Sequence, residues 1–163
     1  MKKMDRILKE WIYAFCSAVI LVFILYYVMW PIHVSGNSME KTLSSGEIIL
    51  VSKLSVYLEP CKYGDIIIMY IKEGEKKQKI VKRVIGIEGE HVVIKDGLVS
   101  INGKVLQEQY TSSPTHANID LFVPKDAYFV LGDHREISKD SREFGCVFKG
   151  DIRGRAIFIS NGL

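Results

Sequence analysis

Charged and apolar positions separate sharply at the start of the chain. Residues 1–10 interleave Lys2, Lys3, Arg6 and Lys9 with Asp5 and Glu10, whereas residues 11–32 (WIYAFCSAVILVFILYYVMWPI) carry no charge. At ~1.5 Å per residue, an uninterrupted apolar run of this length predicts a helix about 30 Å long, the thickness of a hydrocarbon core. Trp11, Trp30, Tyr26 and Tyr27 place amphipathic rings near its ends, and Pro31 is expected to stop it. A cleaved leader would show a shorter apolar region followed by a small-x-small site, so 11–32 is read as a transmembrane anchor. Four cations precede the run and Lys41 is the first after it. The asymmetry predicts residues 1–10 in the cytoplasm and residues 33–163 on the outer face of the plasma membrane.

Beyond the anchor the pattern changes to short stretches rich in Val, Ile, Tyr and Phe, bounded by Gly, Pro or Asp. These predict strands at Glu47–Lys53, Asp65–Lys72, Lys79–Ile87, His91–Lys95, Leu98–Asn102, Lys104–Leu106, Leu121–Val123, Ala127–Leu131 and Ile152–Ser160. Asp96-Gly97 and Asn102-Gly103 have the chemistry of two-residue turns, so 91–106 should form consecutive hairpins. The charged stretch KEGEKKQK at 72–79 is expected to be a solvated turn, and the polar residues 108–120 a loop. The fold class is therefore mainly β: one N-terminal transmembrane helix, then a compact, mostly antiparallel β domain.

Bulk properties narrow the function. With the anchor set aside, 163 residues leave room for one modest domain. The net charge is +3, and the first ten residues hold +2 of it, so the outer domain carries too weak a field to favour nucleic acid. Cys16 falls in the anchor. Cys61 and Cys146 could pair on the outer face, but two isolated cysteines make no disulfide framework, and unpaired thiols are the expectation.

The chemistry concentrates in three places. Ser38 lies in Ser35-Gly36-Asn37-Ser38-Met39, just past the anchor, where Gly36 permits a tight bend and Met39 is an apolar residue suited to lining a pocket. A serine nucleophile needs a base, and no histidine here has the context of a triad partner. Lys82, in Ile80-Val81-Lys82-Arg83-Val84-Ile85-Gly86, is the other solution if burial makes its amine neutral. Strand alternation puts Lys82 on one face with Ile80 and Val84, and Arg83 on the other with Val81 and Ile85, so periodicity does not choose between them. Chemistry does, because a guanidinium keeps its proton. The third place is GDHREISKDSREFG at 132–145, a polar loop after an apolar strand that can supply a hydroxyl to orient the lysine and charges to fix the site.

With these motifs in order after a single span, the chain resembles the type I signal peptidases, serine–lysine proteases that remove signal peptides from exported proteins. The resemblance is carried by SGNSMEKTL at 35–43, YGDIIIMY at 63–70, KRVIGIEGE at 82–90 and GDHREISKDSREFG at 132–145. It implies the short, single-anchor form common in Gram-positive bacteria, with Ser38 as nucleophile and Lys82 as general base. It further implies that Ser138 hydrogen-bonds the lysine, that Asp140, Arg142 and Arg83 form a supporting charge network, and that Asp65 is structural. Two positions depart from the family pattern: Lys41 stands where proline is usual, and His134 where asparagine is usual. Gly36 stands where some relatives carry a serine that completes the oxyanion hole, which leaves that task more heavily to the Ser38 N–H.

The implied function is a membrane-bound endopeptidase acting on preprotein signal peptides after Ala-x-Ala sites, with the bilayer as partner and no cofactor or metal. Two alternatives stand beside it. One is a non-catalytic membrane assembly factor on the same fold, such as a pilus-assembly helper. The other is a metal hydrolase using His33, His91, His116 and His134, although their spacing matches no ligand motif.

Overall fold

Polar–apolar alternation resolves into eleven strands, one long helix, two single-turn α-helices and a 3-10 turn at Lys149–Asp151 among residues 2–74 and 76–159, which the computed structural model describes. Helix α1 spans Lys2–Val28, and within it Arg6–Tyr26 is long and apolar enough to cross a membrane, with none of that stretch buried against the protein. The helix ends before Pro31, which corrects the expected stop. Strand β1 (Met29–His33) begins at once and pairs antiparallel with β2 (Ile48–Ser52), Pro31 facing Leu50. Proline is tolerated there because β1 is the outermost strand, with one side free of ladder bonds. The single apolar run therefore encodes two elements, and its last residues reach the core of the domain, where Ile32 is buried.

The main sheet has seven antiparallel strands in the order β1-β2-β11-β3-β4-β9-β10, comprising also β3 (Ile66–Glu73), β4 (Lys76–Ile87), β9 (Ala127–Leu131), β10 (Val147–Phe148) and β11 (Ile152–Ile159). The hairpin of β3 and β4 continues through most of 72–79, which was expected to be a turn. Ladder bonds use the backbone whatever the charge of the side chains, so composition alone understates the strands. A second sheet, β7-β6-β5-β8, holds β5 (His91–Lys95), β6 (Leu98–Ile101), β7 (Lys104–Val105) and β8 (Ile119–Phe122). Its hairpins turn at Asp96-Gly97 and Asn102-Gly103, all four at positive φ, as the sequence predicts. Strand β8 starts two residues earlier than expected, and β10 and the one-turn helices α2 (Ser55–Leu58) and α3 (Ser141–Phe144) are too short for periodicity to register.

Ile85, Phe129 and Leu131 of the large sheet pack on Val92, Ile94 and Val99 of the small one. Gly86 makes this approach possible: a Cβ there would sit 2.7 Å from Val92 Cγ2. A second apolar cluster gathers Ile67, Met69, Val84 and Val130. A third draws Met39 and Leu43 down onto Ile32, Ile49 and Ile68, fixing the loop between β1 and β2.

Candidate active site

Ser38 sits in that loop, and the apolar residue beside it holds it in place. Met39 is 1% exposed, and the bonds Glu40 N–H to Asn37 O (3.0 Å) and Leu43 N–H to Met39 O (2.8 Å) wind 37–43 into a tight turn. The Ser38 carbonyl accepts the His134 N–H at 3.1 Å, tying the loop to the segment after β9. Gly132 allows this contact: a Cβ at that position would lie 2.1 Å from Ser138 Oγ and 2.5 Å from Ser38 O.

Lys82 approaches from β4, opposite Ile67 of β3, and is 2% exposed. Its Nζ lies 2.7 Å from Ser38 Oγ, donating when protonated. Burial pushes the amine down from the ordinary 10.5 to about 8; Asp140 and Asp133 pull it back up, and Arg142 adds to the lowering. Desolvation prevails because no carboxylate comes within ion-pair distance of Nζ among the described residues. A neutral amine at that separation accepts the hydroxyl proton instead of donating one.

The surrounding charges form pairs rather than the single network expected from Arg83, Asp140 and Arg142. Arg83 grips Asp133 through two bonds, Nε–Oδ1 at 2.8 Å and Nη2–Oδ2 at 2.6 Å. It also donates to Gly64 O and Thr42 Oγ1 and lies 4.1 Å from the centre of the Tyr110 ring. Asp140 pairs instead with Arg142, accepts the Gly132 N–H at 3.1 Å, and caps α3. Arg142 Nη2 in turn holds the carbonyls of Arg135 and Ser138, which sets the course of the 135–138 loop. Ser138 Oγ is buried with no hydrogen-bond partner among the described residues, so the expected bond to Lys82 is not formed. The Lys82 amine is directed at Ser38, and the Ser138 side chain lies over Gly132. Asp65 accepts from Lys62 N–H and from Arg155 Nη1, both at 2.9 Å.

Sequence reasoning missed Asp133, Glu108 and Arg135. Arg135 is 1% exposed and bound by Glu108 and Thr115, both from the irregular segment before β8. Asp133 follows Gly132 in a motif already singled out, and a buried arginine on β4 requires an acidic partner. Nothing in the polar composition of 108–120 marks Glu108.

The two departures from the family pattern acquire local explanations. Lys41 has φ of 86°, a conformation closed to proline, and its Nζ donates to Thr111 O at 3.1 Å. His134 contacts Ser38 through its backbone N–H, which any residue but proline supplies. The four histidines lie on separate elements, His91 paired with Asp120 and His134 near Glu40. Among the described residues no group of three His, Cys, Asp or Glu side chains is placed to hold a metal ion. Cys16, Cys61 and Cys146 are free thiols.

Ser38 and Lys82 open onto a cleft of about 370 Å³, walled by Ser35–Ser38 on one side and Gln78–Ile80 of β4 on the other. Strand β4 pairs with β3 from Lys76 to Arg83, but with β9 only from Arg83 onward. Residues 76–82 therefore present a free strand edge that leads to the lysine. Next to Ser38 a recess of about 30 Å³ is lined by Ile32, Val34, Met39 and Val81.

Residues 8–160 match the family described as signal peptidase, peptidase S26. A signal peptidase I P of Bacillus subtilis subsp. natto is 39% identical over 171 residues, covering 97% of this chain and 90% of that protein. A signal peptidase IB of Staphylococcus aureus strain Mu50 is 31% identical, covering 95% and 90%. A crystal structure of a signal peptidase I from Enterococcus faecalis V583 superposes with a TM-score of 0.49 at 32% identity, covering 61% of this chain and 98% of that one.

Proposed function

We propose that this chain, which belongs to the signal peptidase family (peptidase S26), removes signal peptides as a serine endopeptidase with Ser38 as nucleophile and Lys82 as general base. The observation that carries the assignment is the 2.7 Å approach of a buried amine to a serine hydroxyl. Neutral Lys82 takes the Ser38 proton as Oγ attacks the scissile carbonyl, and the Ser38 N–H faces the developing oxyanion. The resulting ammonium protonates the departing amine, and water hydrolyses the acyl-enzyme to release the signal peptide.

The substrate lies extended along the free edge of β4 at 76–82, adding a strand whose main chain supplies affinity. The small recess of about 30 Å³ beside Ser38 supports small residues before the cut and hence Ala-x-Ala sites. From Trp11 to Tyr26 the helix carries no charged side chain, and none of Arg6–Tyr26 is buried against the described residues, which supports insertion in the bilayer. The basic flank sets residues 1–10 in the cytoplasm and the β domain outside. Sharing one bilayer raises the effective concentration of preprotein at the cleft.

The test is preprotein cleavage in reconstituted vesicles by the parent protein, Ser38→Ala and Lys82→Met. The parent cuts and both variants lose the activity. Undiminished processing by either variant, or an inactive parent, overturns the assignment.

A further inference from the structure

A second groove lies on the same sheet as the cleft, at the point where α1 enters the domain, and nothing in the proposed chemistry uses it. It encloses about 210 Å³ and is lined by Trp30, Tyr57, Tyr70, Lys53, Lys79 and Arg153. Lys53 Nζ and Lys79 Nζ stand 4.2 and 5.8 Å from the centre of the Trp30 ring, and the Arg153 guanidinium lies 5.6 Å from that of Tyr70. Elsewhere on the domain some cations have carboxylate partners, as Lys62 does with Glu59 and the partly buried Arg155 with Asp65. Among the described residues these three have none, so positive charge converges on an aromatic floor without internal compensation.

The position of the groove says which anion it meets. Trp30 follows the last residue of α1, Val28, by two positions, within ~7 Å along an extended chain. When α1 is inserted, the groove opens at the level of the headgroups. Leu54 (44% exposed) and Leu58 (71% exposed) stand at the ends of α2 beside Tyr57 and offer apolar side chains to the acyl boundary. We propose that this groove binds the phosphodiester of an anionic phospholipid headgroup, held by Lys53, Lys79 and Arg153 above Trp30. Lys79 also lines the cleft of Ser38 and Lys82, so a seated headgroup fixes the height of the cleft above the bilayer. The proposal rests on the reading of α1 as a membrane anchor.

Trp11 and Trp30 are the only tryptophans, so full-length protein carrying Trp11→Phe reports on the groove through Trp30 fluorescence. It is reconstituted in phosphatidylcholine vesicles containing either brominated phosphatidylglycerol or brominated phosphatidylcholine at the same low mole fraction. Two or three juxtamembrane cations favour anionic over zwitterionic lipid enough that quenching by the phosphatidylglycerol should be roughly tenfold more effective per lipid. That excess disappears in the Lys53→Ala/Arg153→Ala variant, whose melting temperature checks that it folds. Equal quenching by the two lipids, or an excess that survives the double substitution, overturns the headgroup site. Flotation with pure phosphatidylcholine vesicles reports insertion of α1 independently. A protein that floats but shows equal quenching loses only the headgroup site, whereas one that stays in the soluble fraction loses the anchor as well.

Discussion

Lys82 and Arg83 are adjacent on β4 and both buried, at 2% and 9% exposure, yet their charges meet opposite surroundings. Arg83 is matched by a bidentate carboxylate, a carbonyl, a hydroxyl and an aromatic face, so its burial is compensated at every donor the geometry reaches. Lys82 is given one hydroxyl and, among the described residues, no carboxylate within ion-pair distance, and its proton is held correspondingly loosely. Strand alternation separates the two by sending them to opposite faces of the sheet. Desolvation alone does not make a base, since the same burial with a partner makes a structural cation.

The comparison breaks most visibly at the proposed dyad. Ser38→Ala and Lys82→Met should each lower kcat/KM for preprotein by roughly 10³-fold, and the double variant should be no worse than either, because the two groups act as one unit. Additive losses in the double variant would mean that they act separately. Arg83→Met should leave activity no better and stability much worse. Asp133, 1% exposed, would be left without its cation, at a cost of about 3–5 kcal/mol read as a fall in melting temperature.

Lys82→Met should do the reverse to stability. The folded amine titrates at about 8 and the unfolded one near 10.5, so below pH 8 the parent bears the whole cost of burying a charge. The gain on substitution is roughly 3 kcal/mol there. Between those values the unfolded chain holds a proton the folded chain has released. Parental stability therefore rises with pH across that window, and the gain vanishes above it. Thermal melts of both proteins from pH 7 to pH 10.5 check the sign. The smallest effect concerns the turn after the nucleophile. Lys41→Pro forces a ring fixed at φ near −65° onto a residue at 86°, and should destabilise by more than about 1 kcal/mol in chemical denaturation.

How much of this the sequence discloses depends on the range of each interaction. Turn chemistry is local, so the hairpins at Asp96-Gly97 and Asn102-Gly103 are readable at once. The end of α1 is not, because the apolar residues 29–32 satisfy a membrane and a sheet edge equally well, and only pairing with β2 decides between them. Ser38 and Lys82 stand out because a serine beside a membrane span and a lysine in an apolar strand are each unusual. The partners of the arginines do not stand out. Asp133 and Asp140 both lie in one polar loop, and which of them meets Arg83 is fixed by the geometry of strand β9 and helix α3. Glu108 is harder still, since its role arises wholly from a long-range contact with Arg135.

The central claim is that Lys82 is neutral enough near physiological pH to take the proton of Ser38. It is tested most directly by the pH dependence of kcat/KM for a signal-peptide substrate in lipid. The predicted result is a rising limb governed by one ionisation near 8, from the free enzyme's amine. A limb that rises only near 10.5, the value of a solvated lysine, or a rate flat across that range, would contradict it.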